Sequence, residues 1–246
     1  MKQLELFDKI NKYVVNHIGD FHKARLASLS KLKLKAVLKR KNLYLFRAKN
    51  QILANDIVKG ILDSYLSSLE ETVFGDWLEG LAVFVAGEVF GGKKSSALGI
   101  DLEFDRDGIH YIVSIKSGPN WGNSSQFRKM ENDFKAATKT LHTSKSRLHV
   151  EAVNGCCYGK DRNPDKGTYR KLCGQEFWEF ISGNSELYLE IIEPLSAKAK
   201  ERNDEFQKQY HCKLNLFVKE FLKDYSLEDG SVDWIKLVKM NSGKSA

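Results

Sequence analysis

The strongest constraint on what this chain can fold into is the alternation on either side of Asp105-Arg106-Asp107-Gly108. Leu102, Phe104, Ile109, Tyr111, Val113 and Ile115 are apolar, while Asp101, Glu103, His110, Ser114 and Lys116 take positions between or beside them. Period-two alternation is the signature of a strand with one buried face, and an acidic turn ending in glycine joins two such strands as a hairpin. Pairing Phe104 with Ile109 sets Asp101 opposite Ile112 and Glu103 opposite His110. One face then carries Leu102, Phe104, Ile109, Tyr111, Val113 and Ile115, and the other carries Asp101, Glu103, His110, Ile112, Ser114 and Lys116. Packing alone produces such sorting. An acid and a lysine converging on the polar face beside Gly118-Pro119 ask for a further reason, because lysine is disfavoured near a sheet interior.

Helical spacing dominates the rest of the chain. Leu6, Ile10, Val14 and His17 predict a helix over residues 3–18, and Leu29 to Leu45 predict a helix, a turn and a second helix. Residues 51–68 continue the pattern, and a further helix over 69–89 turns Trp77, Leu78, Leu81, Phe84 and Val85 inward, with Glu79 at the edge of that face. Ser124-Ser125 is an expected N-cap for a helix bearing Phe127, Met130, Phe134, Ala137 and Leu141. Residues 148–158 read as a buried strand, 160–171 as a polar loop, 175–182 as a helix closed by Gly183 and 188–192 as a short strand stopped by Pro194. Charged helices are expected around 196–224 and a frayed tail over 241–246.

A chain of 246 residues with 42% hydrophobic content is long enough to bury a core. It has no apolar run approaching the ~20 residues of a membrane helix, and its first residues lack the pattern of a signal peptide. A cytoplasmic protein with no membrane partner is therefore expected. Cys156, Cys157, Cys173 and Cys212 lack the paired spacing of a structural zinc site, so reduced thiols are expected.

Charge points to a polyanion. The formal net charge is +7, yet the stretch from Phe21 to Asn55 holds no Asp or Glu and ten cations: Lys23, Arg25, Lys31, Lys33, Lys35, Lys39, Arg40, Lys41, Arg47 and Lys49. A solvated helix face normally mixes signs to avoid self-repulsion. Phosphate contact is the reading that accounts for the segment.

The hairpin, with its acid before the first strand and its lysine at the end of the second, resembles the core of the PD-(D/E)xK nuclease superfamily. The run Ile115-Lys116-Ser117-Gly118-Pro119-Asn120-Trp121-Gly122-Asn123-Ser124 is similar to type II restriction endonucleases, as are residues 41–50 and 91–96. The resemblance spans roughly residues 40–185. It implies an α/β fold: a mixed central β-sheet flanked by helices, restriction-endonuclease-like, with a mostly helical N-terminal lobe. Residues 1–68 would form a basic lobe for DNA binding or dimerisation and residues 69–246 the catalytic core.

The implied chemistry is hydrolysis of DNA. Phosphodiesters resist attack because their oxygens repel nucleophiles and their leaving group is poor. Mg²⁺, for which Mn²⁺ would substitute, neutralises charge and activates water, and one or two carboxylates hold it against a substrate phosphate. Asp101 is the first expected ligand, and the resemblance adds the carbonyl of Ile115. Lys116 would stabilise developing charge or orient water. Ser114 departs from the pattern, standing where an Asp or Glu is expected. Glu131, on the following helix, and Glu79, on the preceding one, are equal candidates to replace that acid, ahead of Glu103, which would pair with His110. Lys39, Arg40, Lys41, Arg47, Lys49, Lys93, Lys94, Lys160, Arg162, Lys166, Arg170 and Lys171 are candidate DNA contacts, together with the polar and aromatic set Asn120, Trp121, Asn123 and Gln126.

The expected partner is double-stranded DNA, read as a palindrome by a homodimer and cut to leave 5′-phosphate ends, with no small-molecule cofactor. Two other readings use the same residues. One is a repair or junction nuclease that reads structure rather than sequence. The other is a non-catalytic DNA-binding module, to which Ser114 points.

Overall fold

A computed structural model describes residues 3–144 and 149–244. Its elements run α1 (Gln3–Lys31), α2 (Leu34–Leu38), α3 (Leu43–Ala48), α4 (Ala54–Phe90), β1 (Lys93–Lys94), β2 (Leu102–Arg106), β3 (Ile109–Lys116), α5 (Ser124–Ser144), β4 (His149–Cys156), β5 (Arg170–Cys173), α6 (Gln175–Ser182), α7 (Leu187–Glu190), α8 (Ile192–Leu195), α9 (Ala199–Tyr225) and α10 (Trp234–Ser242). The strands form one mixed sheet in the order β1-β2-β3-β4-β5. β1, β2 and β3 are antiparallel neighbours, and β3-β4 and β4-β5 are parallel. This is the expected α/β architecture.

The hairpin forms with a tighter turn than expected. Arg106 pairs with Ile109, Phe104 with Tyr111 and Leu102 with Val113, so the connection is only Asp107-Gly108. Both residues have positive φ, 53° and 78°, the conformation of a two-residue turn whose twist matches the flanking strands. Asp-Gly favours it because glycine tolerates this backbone and aspartate is among the residues that enter it. The correction slides each partner by two positions, so the parity of the faces is unchanged. His110 consequently lies opposite Asp105 rather than Glu103.

Helices cover both faces of the sheet. On one, Leu102, Phe104, Tyr111, Val113 and Ile115 pack with Leu81, Ala82, Val85 and Ala86 of α4 and with Phe177 and Ile181 of α6. On the other, Ile112 packs with Met130, Phe134 and Ala137 of α5. Arg106 falls on the apolar face and is accommodated by stacking: its guanidinium lies 4.7 Å from the Phe180 ring centroid and donates to the Phe180 carbonyl at 2.8 Å.

Several boundaries differ from the sequence reading. The helix expected over 3–18 continues to Lys31, and the two expected over 51–68 and 69–89 are one helix of 37 residues. β5 begins inside what reads as a polar loop and continues through Leu172 and Cys173. The strand expected at 188–192 is two short helices instead: Asn184 Oδ1 accepts from Glu186 N–H at 2.9 Å and starts the first of them. Pro194 sits in the first turn of α8, where a missing N–H costs little. Residues 234–242 are helical, with Asn241 donating to the Leu38 carbonyl at 3.0 Å, rather than the start of a frayed tail. Leu148 and the tail residues 245–246 lie outside the described residues.

The chain divides into two compact units, residues 1–19 with 74–197, and residues 20–73 with 198–246. This differs from the expected division at residue 68, because the first turns of α1 pack Leu6, Ile10 and Val14 into the core around the sheet. In the second unit Leu29, Leu38, Ile57, Ile61 and Leu62 share a core with Phe217, Phe221 and Leu237. Among the described residues no helix is long and apolar enough to cross a membrane.

Candidate active site

The site arises where β2 and β3 part. Leu102 is the first residue of β2 paired with β3, and Asp101 N–H still reaches the Val113 carbonyl at 2.8 Å. One residue earlier the chain turns away, and Ile100 N–H donates to Ala97 instead. The backbone N–H and carbonyl of Ile115 therefore lose a strand partner on that side, and buried backbone groups must find others. The Asp101 carboxylate takes the N–H, with Oδ2 2.6 Å from Ile115 N. The Lys116 ammonium takes the carbonyl, with Nζ 2.8 Å from Ile115 O.

Asp101, Ile115 and Lys116 are thereby brought together as the sequence implied. Asp101 Oδ2 is also 3.7 Å from Lys116 Nζ and 3.4 Å from Ser114 Oγ. A cationic nitrogen thus already lies between a carboxylate oxygen and a carbonyl oxygen. The donor set is hard and negative, the kind a small divalent cation selects. Ser114, at the position of the expected acid, is buried and supplies only a hydroxyl. Among the described residues no three His, Cys, Asp or Glu side chains gather as a metal-ligating group.

The two candidate replacement acids occupy different surroundings. Gly75 of α4 abuts Ser117 so closely that a β-carbon there would stand 3.4 Å from Ser117 Cβ, and Glu79 lies one helical turn further along the same face. Cys157, whose N–H donates to the Lys116 carbonyl at 2.9 Å, senses both charges. Burial pushes its thiol up to about 12, Glu79 adds to the shift and Lys116 opposes it. Glu79 also pairs with Lys94 of β1 at 3.3 Å. Glu131 instead lines a groove with Phe134, Lys135, Val150, Ala152 and Thr168. There it raises the Tyr169 hydroxyl, an effect second to burial. Glu103 accepts from the Ser95 hydroxyl and is 3.7 Å from His110 Nε2, while His110 Nδ1 is 2.7 Å from Asp105.

The loop after Lys116 is braced from within. Trp121 turns inward, its indole N–H donating to Asn154 Oδ1 at 3.1 Å and its ring packing on Phe127. Asn123 and Gln126 form a reciprocal helix cap. Asn123 Oδ1 accepts from Gln126 N–H at 3.1 Å and Gln126 Oε1 accepts from Asn123 N–H at 2.9 Å. Asn123 is thus the cap that the sequence reading placed at Ser124-Ser125. Asn120 is exposed.

Lys171 is buried rather than available to a phosphate. It donates to the Pro119 carbonyl at 2.9 Å and pairs with Asp161 at 3.3 Å. Burial opposes ionisation of Asp161, but hydrogen bonds from Lys166, the Asn163 N–H and Lys171 outweigh it and hold the carboxyl below its ordinary range. Lys160, Arg162, Lys166 and Arg170 are exposed around this knot, as are Lys93 and Lys94 on β1. In the second unit Lys39, Arg40, Arg47 and Lys49 are exposed and Lys41 donates to Ser64 Oγ at 2.6 Å. Asn154 and Asp161, which the sequence reading passed over, are thus central to the loop scaffold. Asn154 is legible only as a polar residue inside a buried strand run.

A mixed sheet flanked by helices, with an acid and a lysine meeting where two strands diverge, is an arrangement suited to a nuclease. The family model for type II restriction endonuclease EcoO109I matches residues 8–203, and the chain belongs to that family. No curated protein matches it.

Proposed function

We propose that the protein is a Mg²⁺-dependent, site-specific deoxyribonuclease that hydrolyses both strands of a palindromic duplex as a homodimer, leaving 5′-phosphate ends. Mn²⁺ is expected to substitute. The observation that carries the reading is the convergence of Asp101, the Ile115 carbonyl and Lys116 on one point.

Asp101 and the Ile115 carbonyl would hold the metal, with Glu79 the better placed of the two further acids. Bound there, Mg²⁺ supplies charge neutralisation and a more acidic water. The chain's own groups do the rest. Asp101, by accepting the Ile115 N–H, ties down the peptide unit that immediately precedes the one whose carbonyl joins the site. Lys116 presents a compact positive charge where negative charge would develop on the phosphate. Lys93 and Lys94 on β1, and Lys160, Arg162, Lys166 and Arg170 around β5, are suited to the phosphate backbone. Within the second unit, Lys39, Arg40, Lys41, Arg47 and Lys49 are suited to phosphates in their own right.

Ser114 favours one competing reading, a DNA-binding module that no longer cuts. Incubation of a duplex with the protein in Ca²⁺, Mg²⁺ and Mn²⁺ separates the two. Binding in Ca²⁺ with cleavage in Mg²⁺ supports the nuclease, whereas tight binding with no cleavage in either Mg²⁺ or Mn²⁺ establishes the module.

A further inference from the structure

We infer that Asn154 and Trp121 act together as positioning residues for the Lys116 ammonium: the buried amide fixes the indole, and the indole face fixes the lysine. The inference deepens the proposed function, because it treats Lys116 as a working group. Its observations are nevertheless independent of any cleavage.

Asn154 has no exposed surface and lies on β4 directly beside Ser114. An apolar side chain would fill a strand interior at no cost in hydrogen bonds, so a buried amide there has to be satisfied by specific partners. Its Nδ2 donates to the Ser114 carbonyl at 3.1 Å and its Oδ1 accepts the Trp121 indole N–H at 3.1 Å. The first bond anchors the amide to the strand that ends in Lys116. The second fixes the edge of the indole, and Phe127 packs against the ring with centroids 4.6 Å apart.

The ring so held lies 5.4 Å from Lys116 Nζ, within the range in which an aromatic face attracts an ammonium. Lysine is a point charge on a flexible four-carbon stem, and the Ile115 carbonyl alone defines one direction of approach. The indole supplies a second. Together they restrict the ammonium to a position beside Asp101 rather than letting it extend to solvent. Asn120 is exposed on the same loop, and the Asn123–Gln126 hydrogen bonds close the start of α5. Trp121 is therefore assigned to the interior of the site and not to base reading.

The test follows the lysine itself. In protein labelled with ¹³C-lysine, the Lys116 Cε resonance, identified by its loss in Lys116→Arg, should be shifted upfield by the indole ring current. Trp121→Leu should abolish the shift, and Asn154→Leu should reduce it although it removes no aromatic group. Asn154→Ser, whose shorter side chain falls short of the indole N–H while leaving the ring intact, carries the same test if Asn154→Leu does not fold. Single-turnover cleavage at saturating protein should fall about tenfold in Asn154→Leu, equivalent to about 1.4 kcal/mol, with DNA affinity in Ca²⁺ unchanged.

A Lys116 resonance unmoved in Asn154→Leu, or in Asn154→Ser where that variant is used, overturns the inference. So does a loss confined to DNA affinity, which would return Trp121 to the DNA surface. If the wild-type protein cleaves nothing, the proposed function fails, while the resonance comparison still decides whether Asn154 and Trp121 position the lysine.

Discussion

Asp101→Asn separates the charge of the site from its shape. The carboxylate stands 3.7 Å from Lys116 Nζ, a pairing of about 4 kcal/mol at an effective dielectric of 20. The two side chains are 21% and 30% exposed, and solvent screening reduces the net value to about 1 kcal/mol. An Asn amide oxygen can still accept the Ile115 N–H, so the strand ends stay together and the melting temperature should move by only a few degrees. The site nevertheless loses its negative ligand, and with it the means to hold a divalent cation beside the Ile115 carbonyl. Removing a single preorganised charge-stabilising group typically slows an enzyme by about 10²–10³-fold, and loss of the carboxylate proposed to hold the metal should cost at least that much. The assay is single-turnover cleavage across a Mg²⁺ titration, with DNA binding in Ca²⁺ and a thermal melt as controls. Asp101→Asn cutting within about threefold of wild type while remaining folded would refute the assignment.

Further outcomes follow from other parts of the molecule. Glu79→Gln should slow cleavage more than Glu131→Gln, measured side by side at saturating Mg²⁺, because Glu79 shares its surroundings with Lys116 through Cys157; the reverse order would move the second acid to α5. Neutralising Lys39, Arg40 and Lys49 should reduce the slope of log affinity against log salt by about 0.9 for each DNA phosphate that is no longer neutralised, whereas an unchanged slope would assign the segment to another role. Asp161→Asn should destabilise the protein by about 2 kcal/mol at neutral pH, since it leaves the buried Lys171 ammonium without its counter-charge. The depressed Asp161 carboxyl contributes stability that is present above the ordinary carboxylate range and lost as pH falls through its lower folded value. The variant and wild type should therefore converge in melting temperature at acid pH, and a gap that persists there would contradict the linkage.

The sequence made the site's chemistry legible more readily than its scaffold. Parity placed Asp101, Ser114 and Lys116 on one face even though the assumed turn was two residues too long, because a slide of two positions preserves faces. That α4 is one helix could not be read from spacing, since a gap in an apolar pattern looks the same whether a helix ends or continues. β5 was hidden because its Arg170 and Lys171 look like a surface loop. Lys171 is buried only by virtue of Asp161 and the Pro119 carbonyl, partners distant in sequence. Asn123 and Gln126 looked like a polar surface, yet their three-residue spacing is that of a helix cap, a signal present in the sequence and read as something else. At 188–192 an apolar run suggested a strand, but among the described residues no neighbouring strand exists to pair with it and the segment coils instead.

If Asp101, Ile115 and Lys116 form the proposed centre for cutting DNA at defined sites, the ends produced from a plasmid of known sequence must share one sequence. With Mg²⁺ the wild-type protein should yield discrete fragments bearing 5′-phosphates at one repeated palindromic sequence, and Lys116→Ala should yield none. Intact plasmid, ends scattered without a common sequence, or the same fragments from Lys116→Ala would contradict it.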